Sequence, residues 1–547
     1  MRFKTRLVSS LEKVFCDEEL AAADHRCGSA LRGEVFAFQL AYWGDGRFEF
    51  ECEVESELKP RVSLRRVGNV PCELVAPGFD DNVLRKTPGL FPDPLFPCDG
   101  KLHAMPLQWR SLWVSVKVPE ACEAGKHDIA LHLTKSNSAN AEENFDFKET
   151  FTLEVLPVSL PKQALIHTQW FHADCVASRY QVPCWSERHW ELIGKYAANA
   201  AEHGINMLLT PLWTPPLDTA VGGERPTTQL LGVSKLGERY DFDFSRLERW
   251  LDLCLSVGIE YFEMSHAFTQ WGARFTPKIV VREDGVEKKL FGWHVAADAP
   301  EYANFLSQLM PPLLRLLRGK GLAGKCYFHV SDEPSPQHIE AYRVAAALVK
   351  GLVEDFPMLD ALSNVEFYKR GIIRNPVPSV GHIEPFVEAG AKPLWAYYCC
   401  GPWEKTTNRF FHFPSARNRV MGMLMFKYDI DGFLHWGFNF WYSQHSVDQN
   451  LDPFATTDAG GVFPGGDAFL VYPGPDGPLD SLKYEVFREG LQDMRALRLL
   501  EAKLGREAAV KLLEDGLDKS LTMEEYPRGA DWLLGRRERI NRALVPG

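Results

Sequence analysis

Apolar and polar positions along the chain change their period once, near Pro161. Before that point, short runs rich in Val, Phe and Leu alternate with polar residues and break at Gly, Pro, Asp and Asn. The runs fall at residues 35–39, 46–55, 61–67, 111–118, 127–134 and 150–156. A two-residue period marks half-buried strands, and several such strands in succession predict an antiparallel β-sandwich over residues 1–161. Residues 77–106 are dense in Pro and Gly and read as an irregular loop, where binding surfaces often sit. After residue 161, apolar runs alternate with amphipathic stretches. Strands are expected at 164–171, 205–212, 259–265, 325–331, 359–365, 379–383, 393–399 and 432–440. Helices are expected at 187–203, 244–257, 301–317, 336–354 and 414–428. Eight strands with crossover helices predict a (β/α)8-type (TIM) barrel over residues 162–480. Only a few residues, 386–390 among them, separate the sixth strand from the next, so an incomplete barrel is also compatible with the pattern. A helical run at 481–504 opens a C-terminal segment, 481–547, read as helices packing on the barrel.

Composition narrows the function. The 547 residues are 45% hydrophobic and 24% charged, an ordinary globular balance that excludes disorder as the main content. Lys and Arg number 61 against 73 Asp and Glu, so the concentrated cationic face of a nucleic-acid binder is not expected. No apolar run approaches the length of a membrane span. Glu12 and Lys13 interrupt the N-terminal stretch before any leader-like apolar run, and a cytoplasmic location is expected. The 12 Cys lack the regular spacing of a disulfide scaffold and read as reduced thiols. CxxC, HExxH, Walker, GxGxxG and GxSxG patterns are all absent, so neither a metal nor an organic cofactor is expected. No interface segment stands out, which leaves a homodimer open. The 15 Trp, 16 Tyr and 35 Phe offer flat surfaces on which sugars stack, although core packing accounts for most of them.

In a barrel, function gathers after the C-terminal ends of the strands. Reading outward from each predicted strand gives Trp170, His172 and Asp174, then Trp213, then His266 and Trp271. Asp332 and Glu333 follow the fourth. Asn364, Glu366 and Tyr368 come next, then Glu384, Tyr397, Tyr398 and Trp403, and finally Trp436, Asn439 and Trp441. Of these, His172, Asp174, Trp213, His266, Asn364, Tyr397, Tyr398, Trp436 and Asn439 are the candidate sugar-binding residues. His329 precedes the carboxylate pair inside its strand and reads as a satisfied core histidine. Asp467 is a candidate for orienting a loop.

Asp332-Glu333 is the most informative pair. Two carboxylates at the end of an apolar strand are costly unless solvated or used. Pro334 disfavours a helical Glu333, which predicts an extended pair with diverging side chains. Such neighbours cannot easily flank a scissile bond as two separated carboxylates do in ordinary glycosidases. If they act alone, the nucleophile comes from the substrate: the carbonyl oxygen of a 2-acetamido group attacks C1 and forms an oxazolinium ion. The competing reading is an acidic cap on the helix that begins near Pro336.

The segments FHVSDEPS, DGFLHWGFNFW and GDAFLVYPGPDGPLDSLKYEVFREGLQDMRALRLLE resemble glycoside hydrolase family 123. The stretch LWVSVKVPEACEAGKHDIALHL is similar to the end of that family's sandwich domain, so the likeness runs from about residue 112 to about residue 500. The resemblance implies a β-sandwich followed by a (β/α)8-type barrel and a retaining exo-β-N-acetylgalactosaminidase acting on a glycan with terminal N-acetylgalactosamine. It implies that Asp332 orients and polarises the acetamide and that Glu333 is the general acid/base. It also implies a late-strand tyrosine near the acetamide carbonyl, either Tyr397 or Tyr398. The alternatives are N-acetylglucosamine specificity, a conventional glycosidase with Glu366 or Glu384 as nucleophile, and a non-catalytic glycan-binding protein.

Overall fold

The segment Phe48–Glu55, FEFECEVE, buries every second residue: Phe48, Phe50, Cys52 and Val54 face a core while four glutamates face water. That alternation repeats through the N-terminal third of the computed structural model, which describes residues 2–75, 80, 82–136, 144–353, 355–401 and 404–545. The strands are β1 (Phe3–Ser9), β2 (Cys27–Arg32), β3 (Val35–Gly44), β4 (Phe48–Glu55), β5 (Val62–Cys72), β6 (Gly89–Pro97), β7 (Lys101–Ala104), β8 (Gln108–Lys117), β9 (Gly125–Lys135) and β10 (Phe145–Ser159). They form two five-stranded sheets, β1-β3-β8-β5-β6 and β2-β10-β9-β4-β7. Phe38, Leu40, Leu112, Val114, Leu131 and Phe151 are among the side chains that fill the space between them. Pairing is antiparallel except between β2 and β10.

The stretch expected to be a loop, residues 77–106, instead contains β6 and β7. β6 reads GLFPDPLFP, and its prolines hide it from a pattern search. Proline cannot donate to a ladder, but both strands lie at sheet edges, where the missing donor is tolerated.

Between residues 161 and 440 the strands are β11 (Ile166–Gln169), β12 (Met207–Thr210), β13 (Gly232–Leu236), β14 (Arg239–Asp243), β15 (Tyr261–Met264), β16 (Ile279–Glu283), β17 (Val286–Phe291), β18 (Cys326–Tyr327), β19 (Leu359–Ala361), β20 (Asn375–Val377), β21 (Trp395–Tyr397) and β22 (Gly432–His435). Six of them make one curled parallel sheet, β18-β15-β12-β11-β22-β21. The parallel pair β19–β20 lies between its two edge strands, tied to them only by single bridges, Phe328 to Met358 and Ser379 to Tyr397. Met207, Leu209, Ala361, Val377, Trp395 and Leu434 fill the inner face, while Leu208, Phe262, Ala396 and Phe433 turn to the outer layer. The sixth strand is not at 379–383. Val380 and Ile383 are buried and three residues apart, the spacing of a tight helical turn, and Val380–His382 forms one. The strand is the preceding Asn375–Val377, disguised by Pro376.

Helices Glu187–Glu202, Ser245–Ser256, Pro300–Gly319 and Ile339–Val353 lie close to their expected bounds. A four-stranded sheet, β14-β13-β16-β17, grows from the long connections after β12 and β15 and was not foreseen, because its outer face is charged. The expected helix at 414–428 splits into Ser415–Arg419 and Met421–Lys427, which pack on Leu482–Leu504. Contact there is close enough that a Cβ on Gly422 would lie 1.8 Å from the carbonyl oxygen of Gly490. The C-terminal helices touch the N-terminal sheets as well as the parallel α/β region: Arg537 of Ala530–Leu544 pairs with Glu34, and buried Lys483 pairs with Asp93 of β6.

Candidate active site

The run after β18 sets the site. His329 and Ser331 turn inward, and Phe328 and Val330 pack in the outer core, as strand alternation requires. Continued alternation would send Asp332 and Glu333 to opposite sides. Glu333, however, lies in the left-handed region at φ 42°, and both carboxylates line one cavity. The pair is therefore not extended as expected. Pro334 disfavours the right-handed helical region but leaves the extended one open, so the left-handed form, at a cost of about 1–3 kcal/mol, is imposed by the surroundings. The Glu333 amide donates to the Ala361 carbonyl oxygen at 3.1 Å and fixes this turn.

The cavity holds about 190 Å³, the space of roughly six waters. Trp170, His172, Asp218, Trp271, Tyr397 and Trp436 line it together with the pair. Larger hollows, of about 500 and 760 Å³, lie against the C-terminal helices and beside the four-stranded sheet, away from these residues. Tyr397 donates its hydroxyl to Glu333 Oε1 at 2.5 Å. Burial, then the Glu333 charge, hold the Tyr397 phenol well above its ordinary pKa, so it remains a donor. Asp332 is pushed well up by burial and next by the Glu333 charge; two carboxylates this close do not both ionise readily. Both effects favour a proton on Asp332.

Beneath the pair lies a buried charge cluster. His329 joins Glu263 at 2.6 Å and Asp360 at 2.8 Å. Glu263 also accepts from Trp170 Nε1 at 2.6 Å and Thr168 Oγ1 at 2.5 Å, and Tyr342 donates to Asp360. Burial opposes a charge on His329, but the Glu263 charge and the two carboxylate hydrogen bonds outweigh it, pushing the ring up to about 9. An imidazole titrates near 6.5 in the unfolded chain, so this stabilisation is whole below that pH and is lost as pH climbs through about 9. His329→Leu should lower stability by about 3–5 kcal/mol, since two carboxylates are left buried without their cation. In thermal melts it should also flatten the wild-type decline between pH 6.5 and 9. A variant as stable as wild type, with an unchanged slope, contradicts this reading.

The other candidates divide. His172 lines the cavity, with Nε2 at 2.9 Å from the Trp436 carbonyl oxygen and Nδ1 at 3.0 Å from Arg225. Burial, then the Arg225 charge, push its pKa down to about 3, leaving a neutral ring. Trp436 lines the cavity and donates Nε1 to Asp467 at 3.0 Å. Asp174 does not reach the cavity: Arg225 binds both of its oxygens, at 2.7 and 2.8 Å, in a buried pair. Asn439 pins the His172 backbone from both sides, at 2.8 and 3.0 Å. Trp213 is buried, donating to the His266 carbonyl oxygen at 2.8 Å, and His266 stacks on His329 with ring centroids 4.1 Å apart. Asn364 accepts from the Glu366 amide at the start of a short helix. Tyr398, one residue past the end of β21, points the opposite way and donates to Asn418 at 3.1 Å. Glu366 and Glu384 are exposed and do not line the cavity, so neither is placed as a nucleophile. Trp403 lies outside the described residues.

Several contributors escaped the sequence reading. Glu263 and Asp360 carried a signal, as carboxylates inside the apolar runs YFEM and LDA. Asp218, Gln270 and Gln444 reach the cavity from long connections and carried none. Among the described residues, His266, His329 and Asp360 stand close enough to suggest a metal site. Both His329 nitrogens are already bonded to carboxylates, so that ring has no lone pair to offer a metal.

Residues 170–500 match the catalytic domain of glycoside hydrolase 123. A search of curated proteins found no match. The fold superposes on a family 123 glycoside hydrolase from Clostridium perfringens, described in connection with glycolipid glycan hydrolysis. The TM-score is 0.75 at 14% identity, over 99% of this chain and 98% of that one. A family 2 glycosyl hydrolase from Bacteroides cellulosilyticus aligns at 10% identity over 81% of this chain and 47% of that one, with a TM-score of 0.29, too slight a likeness to argue from. With the catalytic-domain match spanning more than half its length, and with a carboxylate pair facing an aromatic-lined cavity, this chain belongs to glycoside hydrolase family 123.

Proposed function

We propose that the protein is a retaining exo-β-N-acetylgalactosaminidase that uses the substrate's own acetamide as nucleophile. The observation that carries this reading is the turn at Glu333, which brings two adjacent carboxylates into one small cavity with the Tyr397 hydroxyl. In the free site burial and the neighbouring carboxylate favour a proton on Asp332. An acetamide N–H laid against Asp332 favours its ionised form and leaves the proton to Glu333, next to the leaving oxygen. The Tyr397 hydroxyl turns from Glu333 to the acetamide carbonyl and holds it under C1. The carbonyl oxygen attacks C1 while Glu333 protonates the departing oxygen. Asp332 stabilises the oxazolinium, and Glu333 then takes a proton from the water that opens it. Trp170 and Trp436 are the aromatic walls for the sugar. The relative's association with glycolipid glycans supports a glycan carried on a lipid, or an oligosaccharide released from one, as substrate. All 12 cysteines are free of disulfides, which supports a reducing surrounding.

A second reading has one observation behind it. Asp218 is a further carboxylate on the cavity wall and could serve a conventional double displacement. Burial raises its pKa, and the His445 amide already occupies Oδ2 at 3.0 Å, both unfavourable for a free nucleophile. Nitrophenyl β-glycosides of GalNAc, GlcNAc, galactose and glucose separate the readings. Turnover of the GalNAc glycoside with negligible turnover of the galactoside supports substrate assistance, and comparable turnover of the galactoside overturns it. Tyr397→Phe should lower kcat on the order of 10²-fold with little change in KM, because its hydrogen bond strengthens as the carbonyl becomes a nucleophile. An unchanged kcat removes Tyr397 from the mechanism.

A further inference from the structure

Trp271 differs from the other tryptophans of the cavity. Trp170 and Trp436 spend their indole N–H groups on Glu263 and Asp467. Trp271 is 43% exposed and stands at the mouth. Its backbone is held in an unfavourable form: Trp271 has φ 57° and Ala273 φ 53°, with Gly272 between them at φ 120°. Left-handed geometry costs an L-residue about 1–2 kcal/mol, so the surroundings must impose it.

They do so from three sides. The Trp271 amide donates to the Asp332 carbonyl oxygen at 2.9 Å, which ties the loop to the carboxylate pair. Gly272 rests against His338, where a Cβ would fall 2.8 Å from the ring. The Trp271 ring meets His445 edge-on, with centroids 5.6 Å apart and planes at 68°. His445 and Ser446 are themselves left-handed, at φ 59° and 53°. The neighbouring connections converge on Asp218: its amide donates to Gln270 Oε1 at 2.5 Å, and Ser446 Oγ donates to its carbonyl oxygen at 2.7 Å. Connections after β12, β15 and β22 are thus locked together, holding one large ring in solvent beside the pair.

We infer that Trp271 is the platform for the sugar on the leaving-group side of the scissile bond, making it a specificity-determining residue for oligosaccharides over simple glycosides. This rests on the glycoside hydrolase reading of the cavity but not on which sugar occupies it. The cavity has room for one ring, and a ring beyond the scissile oxygen has to emerge at the mouth. An exposed indole there offers a flat apolar face to the C–H surface of a pyranose, and burying that face favours binding.

The test compares two substrates with the same glycon, whichever the wild type hydrolyses: a glycosyl fluoride, whose leaving group has no ring, and a disaccharide. Trp271→Ala should lower kcat/KM on the disaccharide by about tenfold or more and on the fluoride by no more than about twofold, with Trp271→Tyr recovering most of the loss. Equal losses on both substrates would assign Trp271 to the glycon or to the positioning of Asp332, and no loss on the disaccharide would also overturn the platform. Melting curves of the Tyr and Ala variants identify any loss that comes from unfolding. An affinity measurement in the Glu333→Gln background stands independently of turnover: the disaccharide should bind more tightly than its non-reducing monosaccharide, and Trp271→Ala should abolish the difference. Failure of the GalNAc reading shows in the wild type's choice of glycon, whereas failure of the platform shows only in the variant-to-wild-type ratios.

Discussion

Glu333→Gln is expected to lower kcat on an oligosaccharide by about 10²–10⁴-fold while leaving binding near that of wild type. The amide keeps the side chain's shape and can still accept from the Tyr397 hydroxyl, which stands 2.5 Å from Oε1 in the wild type. It has no proton to give the departing oxygen. The loss should therefore follow the leaving group: large for a sugar, which leaves as a poor alkoxide, and much smaller for a dinitrophenyl glycoside, which needs no protonation. Steady-state rates on the two substrates check this. An equal loss on both would mean that Glu333 holds the substrate instead of acting as its acid.

Asp332→Asn carries the second-largest expected effect, about 10²–10³-fold in kcat, with the opposite signature. On the proposed mechanism Asp332 faces the positive charge that develops on the acetamide, whatever the leaving group. Its loss should weigh equally on the sugar and dinitrophenyl substrates. The cavity makes the term large because burial there pushes Asp332 well up, the mark of a charge poorly solvated by water and therefore sensitive to what is placed beside it. A leaving-group-dependent loss in this variant would exchange the two roles, and an unaffected rate would leave Asp332 structural.

The two carboxylates were legible in the sequence because charge at the end of an apolar strand is expensive, and that argument does not depend on the fold's details. Their shared cavity was not legible. It depends on one left-handed residue, Glu333, where a strand pattern with a following proline predicts an extended one. Asp174 and Asn439 were picked for closeness to a strand end, which says nothing of their partners: Arg225 takes up Asp174, and the His172 backbone takes up Asn439. Arg225 sits in a long connection that no local period describes. The N-terminal sheets were read from alternation, yet β6 and the strand Asn375–Val377 were hidden by prolines that edge positions and short strands tolerate. Tyr397 and Tyr398 could not be separated without knowing which strand face points inward; the register of β21 with β22 settles which of them lines the cavity.

On the proposed mechanism the nucleophile belongs to the substrate. Glycosides bearing N-acetyl, N-fluoroacetyl, N-difluoroacetyl and N-trifluoroacetyl groups test it most directly, since each fluorine weakens the carbonyl oxygen and leaves the leaving group unchanged. With the acetamide as nucleophile, kcat/KM falls steeply and steadily along the series. A flat response would contradict it and hand the attack on C1 to a protein carboxylate, with Asp218 the residue to examine next.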